Sequence, residues 1–156
     1  AYPREYAPGS FVSRTLEELT RRSDAVWLGR AVSKREFEGN FNRVTIEPVR
    51  VWKGQPRGVI HVLEDRLPPI PDWFRERHPD LTWFTSVMEP GSRYVLFLTR
   101  RSPDLWRPSY DVGASVSEVR EGRVYSLLHD RSVIDWNGEL FSDIAGSVEA
   151  ICRVGC

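Results

Sequence analysis

The feature that most limits what this chain can become is a pair of long alternating apolar runs on either side of one short turn. AVWLGRAVSKREF (25–37) carries Val26, Leu28 and Val32 at even spacings, and NRVTIEPVRVWKG (42–54) carries Val44 and Ile46, then Val49 and Val51. A repeat of two is the strand period, so each run predicts a strand, and EGN (38–40) predicts the turn between them. The second run slips phase by one residue at Pro48, which predicts a β-bulge or an edge position. A bulge bends a strand sharply, as a small closed barrel requires.

The rest of the pattern extends this β plan. GQPRG (54–58) predicts the next turn and VIHVL (59–63) a third strand. RYVLFLTRR (93–101) predicts a fourth, whose unbroken apolar run suits a central position. SPDLWRP (102–108) reads as a loop, and YDVGASVSEVREGRVYSLL (110–128) as a hairpin around Glu121-Gly122. Helices flank the strands. Thr15 followed by Glu18 is a capping-box pattern, and Leu16 and Leu19 share a face of the short helix it opens. Near the other end, Asn137-Gly138 signals a tight turn, after which Ile144, Val148, Ile151 and Cys152 fall on one helical face, with Gly155 placed to end that helix.

Two stretches stand outside the rhythm. Residues 1–12, rich in Pro and Tyr, read as an extended arm carrying Tyr2, Tyr6 and Phe11. Residues 64–92 hold five prolines and the pairs Trp73-Phe74 and Trp83-Phe84, and are too long and too aromatic for an idle connection. The expected organisation is an arm (1–12) and a single domain (13–156) with an aromatic, Pro-rich insertion at 64–92. Interface hot spots favour Trp, Phe, Arg and Met, so Trp73, Phe74, Trp83 and Phe84 are candidate partner-binding residues, as are the arm aromatics. The competing reading is that the insertion closes an open barrel end with a small core of its own.

Charge excludes one class of partner. With 22 basic and 22 acidic residues the net charge is zero, whereas a nucleic-acid binder normally carries the basic excess that displaces counterions from phosphates. Lys34 and Lys53 are the only lysines; this Arg bias is what a GC-rich genome such as a thermophile's produces, and it says little about function. No apolar run is long enough to span a membrane, so membrane insertion is not expected. The opening AYPREYAPGSF fits a mature end left by signal-peptide removal, though a cloning boundary reads the same. With an even cysteine count, that points to a secreted or extracytoplasmic protein.

Cys152 and Cys156, in the closing AICRVGC, are the only cysteines. Spaced four apart at a helix end they can form a disulfide, enclosing five residues and contributing roughly 2 kcal/mol by chain entropy. A link to another subunit uses the same thiols. The helix C-terminus disfavours thiolate, which argues against a redox couple.

Three stretches carry a family likeness: SDAVWLGRAVS at the first strand, VRVWKG closing the second, and EPGSRYVLFL at the fourth. In them the chain resembles the small OB-type barrels of the netrin-like and metalloproteinase-inhibitor superfamily, notably their secreted bacterial relatives. The likeness spans roughly residues 15–127. It implies a mainly β fold: an OB-like Greek-key barrel of five or more strands, with a short N-terminal and a C-terminal helix. The inhibitors reach a target's zinc through an N-terminal cysteine; this sequence has no cysteine before Cys152, so that mechanism does not carry over.

No catalytic signature stands out. His61, His78 and His129 are scattered, without the convergent spacing of metal ligands, and DWNGE (135–139) lacks the full calcium-loop pattern. There is no GxSxG; Ser115 reads as a strand serine, and the acid pairs Glu64-Asp65 and Asp143-Glu149 are unremarkable among 22 acids. The expectation is a non-enzyme without metal or cofactor that acts through protein–protein contact. Its partner is a copy of itself reached by the arm, or a separate target captured by the aromatic insertion; an unrecognised hydrolase comes third.

Overall fold

The structure, a computed structural model, describes residues 15–38, 41–65, 72–77, 88–110, 112–126, 134 and 136–156. In chain order its elements are α1 (Leu16–Arg22), β1 (Ala25–Phe37), β2 (Phe41–Lys53), β3 (Ile60–Asp65), α2 (Asp72–Arg77), β4 (Arg93–Ser102), β5 (Leu105–Pro108), α3 (Val112–Ser115), β6 (Val116–Arg120), β7 (Arg123–Ser126) and α4 (Phe141–Gly155). The strands pair in the order β1-β2-β3-β5-β4-β6-β7, and β4 also returns to β1. That return closes β1, β2, β3, β5 and β4 into a five-stranded barrel of OB type, leaving β6 and β7 as an extension beyond β4. All of its pairings are antiparallel except β3 with β5, which match in parallel at His61–Leu105 and Val62–Trp106.

The β1–β2 hairpin is long because its strands bend. Their register slips three times, passing over Val32, Val49 and Trp52. The slip at Val49 lies beside Pro48, where the sequence pattern places it. Both faces of β1 are therefore buried along its first half. Trp27 and Ala31 point into the barrel with Val44, Ile46, Ile60, Val62, Leu96, Leu98 and Trp106. Val26 and Leu28 point outward, under a second core made with Leu19, Phe97, Val124, Trp136, Ile144 and Val148. Gly29 is where β1 must be thin: an added Cβ would sit 2.5 Å from Ile46 Cγ2.

Several expectations need correcting. Val32, placed with Val26 and Leu28 by simple alternation, is 44% exposed, because the bulge ends that alternation. Val49 and Val51 are exposed as well: Val49 is the residue the register passes over, and Val51 lies between that slip and the one at Trp52. SPDLWRP is not merely a loop. It contains β5, the strand that completes the barrel, short and anchored by buried Trp106. The interruption begins later than residue 64, since β3 runs through Asp65. The Glu121-Gly122 hairpin forms, with both residues at positive φ, but it is preceded by the helical turn α3.

The three stretches that carry the family likeness are structural in this chain. Lys53 Nζ donates to the Thr20 and Arg21 carbonyls at 3.0 Å each, holding the C-terminal end of α1. Trp27 Nε1 donates to the Gly54 carbonyl at 2.6 Å, locking the second strand's exit to the first strand's start. Asp24 accepts from the Arg100 N–H, and the Tyr94 hydroxyl accepts from the Glu89 N–H. The Thr15 hydroxyl caps α1 through the Glu18 N–H, as its sequence spacing predicts.

Candidate functional site

The C-terminal helix lies over the outer side of β2, and the seam between them is a cleft of about 360 Å³ lined by Arg50, Val51, Trp52, Glu149, Cys152 and Arg153. Its floor follows from the sequence of each element. Ile144 and Val148 hold α4 to the core, and Cys152, one turn on, packs half-buried at the core's edge. Opposite, the register slip at Trp52 turns its indole toward the same core, where it meets Phe141 at 6.1 Å between ring centroids. The Trp52 Nε1–H is buried and has no hydrogen-bond partner among the described residues.

Charge frames this apolar floor. Arg50 pairs with Glu149 while its guanidinium lies 5.2 Å over the Trp52 ring, and Arg153 approaches the same carboxylate at 3.9 Å. Two guanidiniums share one carboxylate, which leaves one positive charge in excess. Cys152 and Cys156 are joined by a disulfide across a Cα separation of 4.5 Å. This is the local staple, one of the two pairings the sequence leaves open. The cleft thus combines an aromatic plate, a soft sulfur wall and a fork of guanidinium donors.

A second polar knot sits at the barrel end. Glu64 is 2% exposed, and its carboxylate accepts from Asn42 Nδ2 at 3.1 Å and from the Met88 N–H at 3.0 Å. Lys34 Nζ lies 3.9 Å from it and donates to the Met88 carbonyl at 2.9 Å and to Glu89 at 3.3 Å. Burial pushes the Glu64 carboxyl above its ordinary value, outweighing the Met88, Asn42 and Lys34 contacts that favour its charge.

The other sequence candidates fall as follows. Trp73 is on α2, 54% exposed, with the Arg77 guanidinium 5.7 Å over its ring. Phe74 is on the same helix. Tyr2, Tyr6, Phe11, Trp83, Phe84, His78 and His129 lie outside the described residues. Ser115 is buried and accepts from the Tyr110 N–H at 2.8 Å, holding the turn before β6. Asp143 stands in the first turn of α4, while Glu149 is taken up by the arginines. Among the described residues no three His, Cys, Asp or Glu side chains gather as metal ligands, and no helix is long and apolar enough to cross a membrane.

Sequence reasoning missed Arg50, Trp52 and Arg153, and named Glu149 only beside Asp143. The signal was present in part, since Cys152 shares a helical face with Ile144 and Val148. Nothing in the sequence placed that face against VRVWKG. Compared with protein-family models the chain matches none, and no curated protein matches its sequence.

Proposed function

We propose that this chain is a non-enzymatic, extracytoplasmic β-barrel module that works through protein–protein contact. It is a subunit of a self-assembly in which the stretch 1–12 of one copy docks in the β2–α4 cleft of the next. The observation that carries this reading is the Trp52 indole, stacked under Arg50 beside Val51 and the disulfide in an open cleft. Aromatic-lined grooves take Pro-rich extended chain, which enters binding with little entropy left to lose. AYPREYAPGSF offers two prolines, three aromatic rings and an Arg4-Glu5 pair to complement Glu149 and the two arginines. The disulfide supports an oxidising compartment. Kinship with netrin-like barrels belongs to this proposal and rests on the three stretches quoted above.

A labelled AYPREYAPGSF peptide titrated against the chain lacking residues 1–12 tests the reading. Binding that Val51→Asp abolishes, with light scattering showing that the truncation disperses larger species, supports it. No peptide binding, and a monomer at every concentration with the stretch intact, defeats it. A second reading, capture of a separate target by the 64–92 stretch, is favoured by the exposed Trp73 under Arg77. It requires Trp73→Ala to abolish target binding without altering size.

A further inference from the structure

The β1–β2 turn is flanked by a mirrored pattern, Arg35-x-Phe37 before it and Phe41-x-Arg43 after it. The register sets Phe37 opposite Phe41 and Arg35 opposite Arg43, so all four share one face of the sheet. That face is the outer one, since Val44 and Val62 point into the barrel and their neighbours point away. It continues across β3 through His61 and Leu63 to Leu105 and Arg107 on β5. Four strands make this strip roughly 15 Å wide.

The side chains on it are organised. The Arg43 guanidinium lies 5.5 Å over the Phe37 ring and that of Arg107 5.4 Å over the Phe41 ring. Leu63 is buried between the arginine-bearing positions. Among the described residues neither of these arginines, nor Arg35, has a carboxylate within ion-pair distance, and Arg43 Nε is buried with no acceptor. Among the other described arginines, Arg21, Arg30, Arg50, Arg120 and Arg153 have acidic partners. Burial first, and then the Arg43 and Arg35 charges, hold the His61 imidazole below its usual value, with Asp104 pulling the other way. Asp65 stands opposite Phe41 at one end of the strip.

We propose that this strip binds an anionic polysaccharide through its carboxylate groups, the Arg35, Arg43 and Arg107 guanidiniums taking the charge and the Phe rings holding them in place. The planar guanidinium fork matches a planar carboxylate, and arginines already stacked lose little freedom on engaging it. Single-stranded nucleic acid fits less well, because the guanidiniums already cover the Phe ring faces that bases would need. A peptide added as an extra strand would pair along the β1 edge beyond Arg30, to one side of the row of arginines rather than across it. The proposal is independent of the β2–α4 cleft, from which it shares no residue.

The test is titration of the full chain with polygalacturonate, dextran sulfate, neutral dextran and an oligothymidylate at low and moderate salt. The expected result is binding of polygalacturonate that weakens with salt, with none to neutral dextran. The double variant Arg43→Gln/Arg107→Gln should lower that affinity at least tenfold, while Arg57→Gln in the β2–β3 turn leaves it unchanged. In the wild-type chain, polygalacturonate should shift amide resonances of residues 35–37, 41–45 and 61–63, a readout that needs no variant to fold. No polygalacturonate binding, equal loss with Arg57→Gln, amide shifts elsewhere, or preference for dextran sulfate or the oligothymidylate would each overturn it.

Discussion

The Glu64 carboxylate accepts the Met88 N–H at 3.0 Å, tying the end of β3 to the point where the chain re-enters the barrel. One buried acid thus holds both ends of the intervening stretch. Since burial raises its pKa, the folded chain binds a proton more readily than the unfolded one. Its contribution to stability is complete below the ordinary glutamate value of 4.5 and is lost as pH climbs through the raised folded value. Urea midpoints between about pH 4 and pH 8 should fall across that window for the wild type relative to Glu64→Gln. A flat difference would remove Glu64 from the pH dependence. Glu64→Ala, which strands the Met88 N–H and the Asn42 amide, should cost about 1–3 kcal/mol throughout.

Gly29 is set by contact. A methyl there would lie 2.5 Å from Ile46 Cγ2 and 3.1 Å from Leu96 Cδ1, inside the barrel core. Gly29→Ala should destabilise by about 1–3 kcal/mol through overpacking, read as a lower urea midpoint with unchanged slope. Ile46→Ala, which removes that Cγ2, should cost less in the Gly29→Ala background than in the wild type.

Lys53 offers a third test. Its ammonium donates to two carbonyls at the end of α1, where the helix dipole also favours positive charge. Lys53→Met keeps the aliphatic stem and should cost about 1–2 kcal/mol. Amide exchange should accelerate first in α1 (Leu16–Arg22) rather than in β2.

Replacing both cysteines by serine should act locally. The five-residue ring predicts a loss of roughly 2 kcal/mol at most, confined to the last turn of α4. Exchange protection should drop there while the amides of β1 and β4 keep theirs. A cooperative loss across the barrel would show the staple to be integral to the fold.

The legible parts of this molecule were the local ones. Strand periods, the Thr15 cap, the Glu121-Gly122 and Asn137-Gly138 turns and the apolar face of α4 each depend on a few neighbouring residues. The exposure of Val32, Val49 and Val51 was not legible, because a bulge is a mismatch between two strands and only one is read at a time. β5 was missed because four residues with an arginine and a proline carry no alternation; Trp106 becomes a strand residue only once β3 and β4 stand beside it. Arg50 and Glu149 illustrate the same limit for the cleft, since their pairing is a product of tertiary packing. The mirrored Arg35-x-Phe37 and Phe41-x-Arg43 pattern could have been read directly, because a hairpin reflects sequence positions about its turn.

The parallel seam between β3 and β5 bears on the order in which the barrel assembles. Its other ladders include hairpins between consecutive strands, such as β1–β2 and β2–β3, whose ends meet after short closures. The seam joins His61 to Leu105 across all of the intervening chain and offers only two matched residue pairs in return. Contacts that close long loops for little immediate gain form late. The β1–β2–β3 sheet is then the template, β4 its first recruit through β1, and the docking of Trp106 the event that turns a curved sheet into a tube.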